Sequence, residues 1–188
     1  MFSVNKRNFL YNAGVVVFMG CVAFVLVAAR RAMPAASAAA DDDSHFAMKA
    51  ASGGMAEVKM GQLAAEKGSS PAVKEFGQRM VEDHSKANDE LKGVASQSNL
   101  TLPTSMGKEE AATHARLSKL SGKAFDQAYA KEMVRDHQED IAEFQKESSS
   151  GKNEAIKDFA SKTLPTLQSH LQQAKEMEKT VMSASSGM

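Results

Sequence analysis

Cysteine is nearly missing from this chain: there is one, Cys21, in 188 residues, and it lies in an apolar run near the N-terminus. The remainder has to hold together by packing, without disulfides, and it offers no reactive thiol. Tryptophan is absent and aromatic residues make up 6% of the chain. With no basic stripe and no aromatic platform, nucleic acid is set aside as a partner. Strand patterning is also scarce. There is no glycine-rich phosphate loop and no Ser-His-acid order with a nucleophile turn, so enzyme chemistry finds no foothold of those kinds. What remains, with 43% hydrophobic and 24% charged residues, suits one globular domain.

Positions 1–40 read as export machinery. Lys6 and Arg7 precede the apolar run AGVVVFMGCVAFVLVAA (Ala13 to Ala29), followed by Pro34 and the small-residue stretch AASAAA before Asp41. That order is a secretory signal with cleavage sites near Ala38 or Ala40. The rival reading is an uncleaved anchor, because the segment 9–29 is long enough to span a bilayer and Arg30-Arg31 would flank it. In both readings the domain, positions 41–188, lies outside the cytoplasm, in a bacterial periplasm. Four of the 23 basic residues (Lys6, Arg7, Arg30 and Arg31) and none of the 23 acidic ones precede Asp41, which leaves the domain at a net charge of −4.

From Asp41 onward the spacing of apolar residues is helical in four long stretches, separated by GSSP (Gly68 to Pro71), SNLTLPTSMG (Ser98 to Gly107) and SSSGKN (Ser148 to Asn153). A shorter helical piece spans about Lys108 to Leu120. The fold expected is all-α: an antiparallel four-helix bundle with an extra short helix in the long crossing between the second and third long helices.

Stepping four then three positions traces the seam that each long helix turns toward its partners. One ionisable residue interrupts each seam near its middle: Glu57, His84, His137 and His170. Two of them close near-identical phrases, MVEDH at Met80 to His84 and MVRDH at Met133 to His137. A buried imidazole without a partner costs on the order of 1–3 kcal/mol, so something has to satisfy these groups. Neutral imidazole with carboxylate is an ordinary first shell for zinc, copper or iron. Met80 and Met133, one turn before the histidines, would add thioethers suited to copper. Asp83 and Asp136 point about 100° away from the histidines and are expected to orient neighbours or face water. His45 and His114 fit no seam and read as exposed. Counting outward from the last turn places His170 roughly 10 Å out of register with His137, in a different layer unless the last helix starts late or bends at Pro165.

Two main readings stand on these residues. One is a metal holder built on Glu57, His84, His137 and His170. The other is a structural or interaction protein of the cell envelope, whose histidines form a hydrogen-bonded core element that fixes helix register. A third and weaker reading, a metal-dependent enzyme, needs an open coordination position and a pocket.

The stretches SGGMAEVKMGQLAAEKGSSPAVKEFGQRMVEDHSKANDEL, FDQAYAKEMVRDHQEDIAEFQKE and KTLPTLQSHLQQAKEM resemble the exported bacterial family called domain of unknown function 4142, over about positions 46–179. The resemblance implies a ferritin-like bundle outside the cytoplasm and carries no established activity. Di-iron members of the ferritin-like group use Glu-x-x-His pairs. Here the residues three before the histidines are Val81, Val134 and Leu167, so that carboxylate set is missing.

Overall fold

The structure, a computed structural model, describes residues 35–186, with side chains described from Asp42 to Ser183. The leader or anchor expected over positions 1–40 lies mostly outside the described residues. Five helices and no strands occur among those described: α1 (Ala35–Lys67), α2 (Pro71–Gln97), α3 (Lys108–Ser118), α4 (Gly122–Ser150) and α5 (Glu154–Ser186). Among the described residues, no helix is long and apolar enough to cross a membrane.

Local chemistry sets the boundaries. Pro71 opens α2, where its missing N–H would have had no intrahelical partner anyway. Gly122 opens α4 at φ 57°, a left-handed value that a side chain would strain. The expected break at Ser148 does not occur. The hydroxyls of Ser148, Ser149 and Ser150 donate to the carbonyls of Gln145 and Lys146, so these serines find partners inside the helix and α4 runs on to Ser150.

The helices pack as two hairpins, α1 with α2 and α4 with α5, joined through α3. In the first, Gly61 faces Gly77 so closely that a Cβ on either would stand 2.7 Å from the other's carbonyl oxygen. In the second, the Phe144 and Phe159 rings meet at 6.0 Å. The hairpins are copies of one pattern. AVKEF (Ala72 to Phe76) returns as AIKDF (Ala155 to Phe159), and the same offset pairs Asp43 with Asp126, Phe46 with Tyr129, Glu57 with Asp140 and Gly68 with Gly151. The MVEDH and MVRDH phrases sit on α2 and α4, which are not equivalent helices in this repeat.

The repeat is reciprocal in space. Asp126 accepts hydrogen bonds from the backbone N–H groups of Ser69 (2.9 Å) and Ser70 (2.8 Å). Asp43 does the same for Lys152 (3.1 Å) and Asn153 (2.6 Å). Each hairpin's turn is therefore tied by a buried aspartate from the first helix of the other hairpin. Each carboxylate faces the start of a helix, where N–H groups lack intrahelical partners. Asp126→Ala is expected to lower unfolding free energy by about 1–2 kcal/mol, read from the urea midpoint, and Asp43→Ala by a similar amount. The two ties are separated by most of the length of α1, roughly 37 Å at about 1.5 Å of rise per position, so their effects should add. Clear non-additivity would mean that the two hairpins do not dock as independent ends.

The core divides into two apolar clusters with a polar layer between them. One cluster contains Met60, Met80, Leu117, Phe125, Tyr129, Met133 and Met177; the other contains Phe46, Leu91, Phe144, Ile156, Phe159 and Leu167. On every long helix one ionisable seam residue separates members of the two. The α4 seam is rotated from the expected one: Met133 is fully buried while Val134 and Ile141 are only partly buried. His45 is exposed as expected, whereas His114 is half-buried.

Candidate metal centre

Glu57 on α1, His84 on α2, His137 on α4 and His170 on α5 meet in this polar layer, each 5% exposed or less. The imidazole centroids are 5.7 Å apart for His84 and His137, 5.3 Å for His84 and His170, and 5.4 Å for His137 and His170. One ring nitrogen from each of the three histidines lies within 4.8 Å of the others, so the cluster could hold a metal ion.

The register expected for His170 is therefore corrected: it shares the layer. Because α4 runs to Ser150 and α5 starts at Glu154, His137 and His170 stand at nearly equal depth from the turn between them. The remaining offset, about three positions, is roughly 4–5 Å along a helix. No late start of α5 is needed, and the helix continues through Pro165.

Each imidazole has one nitrogen tied to an oxygen. His84 Nδ1 is 2.7 Å from Glu57 Oε2. His137 Nδ1 donates to the Met133 carbonyl, one turn back, at 2.9 Å. His170 Nε2 donates to Asp83 Oδ2 at 2.9 Å. The opposite nitrogens, His84 Nε2, His137 Nε2 and His170 Nδ1, are buried and have no hydrogen-bond partner, and neither has Glu57 Oε1. That oxygen lies 3.6 Å from His137 Nε2. A neutral imidazole that donates through one nitrogen presents a lone pair at the other. With Glu57 ionised, three such lone pairs and a carboxylate oxygen are all acceptors, and a proton on Glu57 could satisfy only one of them.

The layer's electrostatics follow from its dryness. Burial pushes the imidazoles toward the neutral form, His84 to about 4, His137 to about 3 and His170 to about 4, because charge is poorly solvated there. Burial also holds the Glu57 carboxyl well above the usual carboxylate range, and the nearby Asp136 charge adds to the effect. Asp136 itself is pushed up to about 6, chiefly by burial.

Met80 and Met133 are both fully buried in the apolar cluster on one side of the layer, and Met133 contributes its backbone carbonyl to His137. Asp83 does orient a neighbour, and that neighbour is His170 on another helix. Sequence reasoning gave Tyr129 no role. Its buried hydroxyl has no partner, and its ring packs on Phe76, which in turn meets the rings of His137 and His170. The signal that would have found it is its pairing with Phe46 in the internal repeat, a hydroxyl added at a core position.

Beside the cluster is a small chamber of about 20 Å³, lined by Glu57, His84, Gly53, Gly54, Ala87, Asp140 and Leu167 among others. A chamber of that size has room for about one water. In the internal repeat, the counterparts of His137, His170, His84 and Glu57 are Gly54, Ala87, Leu167 and Asp140. The chamber thus lies among the repeat mates of the histidine cluster, where two of the three imidazoles are replaced by glycine and alanine.

The family profile described as Domain of unknown function (DUF4142) matches residues 28–177. No curated protein matches the chain. Among solved structures, a crystal structure of a DUF305 fragment from Deinococcus radiodurans is similar at a TM-score of 0.62 and 14% identity, covering 74% of this chain and 95% of that one. At that identity the likeness shows the helical fold alone.

Proposed function

The chain belongs to the family described as a domain of unknown function, DUF4142, and from that premise we propose that it is an exported, ferritin-like antiparallel four-helix bundle that holds one transition-metal ion. His84, His137 and His170 supply the donors through their unpartnered nitrogens, and Glu57 Oε1 stands nearest as a fourth. One observation carries the reading: every imidazole is held through one nitrogen by an oxygen and leaves its other nitrogen buried without a partner, in a cluster where one nitrogen of each ring lies within 4.8 Å of the others. A cation would satisfy such nitrogens. Oxygen atoms behind ligand histidines are the usual second shell, fixing tautomer and ring orientation. Imidazole with carboxylate suits zinc, copper or iron better than calcium or magnesium.

The role that fits such a site is buffering or protecting the envelope against metal, without catalysis. The small chamber supports this, since about 20 Å³ is too little for an organic substrate. Export is supported by the order of the segment 6–40, ending in cleavage or in an anchor over positions 9–29. Partners in this reading are the metal ion and envelope proteins, and not nucleic acid.

The test is direct. Purified without chelator or histidine tag, the protein should take up one equivalent of zinc, copper(II) or cobalt(II). Cobalt should show the visible absorption of a nitrogen-rich, low-coordinate site. At a free ion concentration about 100 times the Kd, stabilisation is about 2.7 kcal/mol, which raises the melting temperature by about 5–10 °C. Failure to bind any of these ions stoichiometrically would leave the histidines as core architecture.

A further inference from the structure

Resting on that reading, we propose that the ion reaches the histidines from the α1–α3–α4 face, through an acidic cleft and past Gly53 and Asp140 into the chamber beside Glu57. The cleft has a volume of about 110 Å³. Six carboxylates line it, Glu109 and Glu110 from α3 and Glu132, Asp136, Glu139 and Asp140 from α4, against two basic side chains, Lys49 and Arg135. A cleft of one charge sign with low-dielectric walls concentrates counter-ions at its mouth. Acidic surfaces are common and would carry little alone. Here the cleft has an inner side. Gly53 and Asp140 line both the cleft and the chamber, and the chamber's wall includes Glu57 and His84. Glu57 is 2% exposed and its Oε1 has no partner.

The residue types along this line suit passage. An ideal Cβ at Gly53 would meet nothing within 4 Å, so the helix is bare where cleft and chamber adjoin. Asp140, the repeat mate of Glu57, is half-buried between them. A hydrated dication has to shed water on the way in, and a sequence of carboxyl groups, first in the cleft, then Asp140, then Glu57, offers oxygen ligands in place of the lost water. The last handover is short, since Glu57 Oε1 is 3.6 Å from His137 Nε2. Ala87 and Gly54, the repeat mates of two of the imidazoles, line the chamber there, with the Asn88 side chain against Gly54.

A path residue and a ligand leave different kinetic marks. Narrowing the way in slows uptake and release together and leaves the equilibrium unchanged, whereas losing a ligand speeds release and raises Kd. In stopped-flow cobalt(II) uptake and chelator-driven release, Gly53→Leu, which adds bulk without a backbone clash and favours the helix, should slow both by at least about tenfold, with Kd within about twofold. Asp140→Asn should slow uptake by roughly three- to tenfold at low salt, with the difference shrinking near about 0.5 M salt. Asp140→Glu should restore the rate, and Glu82→Gln on exposed α2 surface should behave as wild type. Wild-type rates in both Gly53→Leu and Asp140→Asn, in protein that loads normally, would overturn the route and leave the metal site standing. A higher Kd with faster release in Asp140→Asn would also overturn it, by making Asp140 a ligand. If the unsubstituted protein takes up no ion, the site and the route fall together.

Discussion

In the His84→Ala/His137→Ala variant, metal affinity falls by at least about three orders of magnitude and added zinc no longer raises the melting temperature. The size follows from sharing a structural-zinc binding free energy of about 10–16 kcal/mol among about four donors, which gives about 3 kcal/mol for each. Losing two imidazoles also strands Glu57, since its Oε2 bonds His84 Nδ1 and its Oε1 faces His137. Asp83→Asn separates ligation from packing, because it keeps all three rings and weakens the acceptor on His170 Nε2, losing besides it only an exposed ion pair with Arg79 at 3.9 Å. Loss of such a partner should cost about 10–100-fold in affinity, with little change in metal-free stability. Isothermal titration of the three proteins decides the matter. An unchanged Kd in the double variant would remove the histidines from any metal site.

Acid should destabilise the metal-free protein through these same rings. Each histidine has a folded value depressed below the ordinary 6.5, His84 to about 4, His137 to about 3 and His170 to about 4. Between pH 6.5 and the folded values, the unfolded chain binds protons that the folded chain refuses. Stability from the neutral rings is therefore complete above 6.5 and is lost as the pH falls toward 4. At pH 4.5 the loss is about 2–3 kcal/mol per buried ring. The carboxyls act in the opposite direction: Asp136, raised to about 6, and Glu57, raised well above its ordinary value, favour the fold on acidification. A simple pH scan mixes the two. The difference between wild type and His84→Gln/His137→Gln cancels the carboxyls away from the rings, leaving the two histidines with Glu57, which touches both, and Asp136, which feels the charge of His84. Urea unfolding should show wild type losing about 5 kcal/mol relative to that variant between pH 7 and pH 4.5. A constant difference across that range would mean that the rings are solvated when folded.

Much of this architecture was legible in the sequence because it rests on local signals. Helical spacing and the breaks around Ser69 and Pro103 place four long helices and one short one. The family resemblance fits the same picture. The seam count also found Glu57, His84, His137 and His170, since a polar residue at a core phase stands out against its neighbours. It failed where side chains settle matters locally. Three serines read as a loop, yet their hydroxyls bond back into α4, and ending the helix before them puts His170 out of the layer it occupies. The shared MVxDH phrase lies on helices that are not equivalent, while the internal repeat is carried by AVKEF and AIKDF and by paired small and acidic residues.

Periodicity and residue type are local properties, so the sequence was enough for the helices and for the burial of Glu57, His84, His137 and His170, though not for the face that α4 turns inward. Only the tertiary structure decided that the three imidazoles share one layer and which nitrogen of each is occupied. It alone linked Asp83 to a histidine on another helix, and it left a chamber where the repeat substitutes glycine and alanine. Those outcomes depend on distances between helices, which packing sets through contacts such as Gly61 against Gly77 and the reciprocal ties of Asp43 and Asp126. Sequence spacing places a residue on its own helix. The acceptor or lone pair it meets belongs to another.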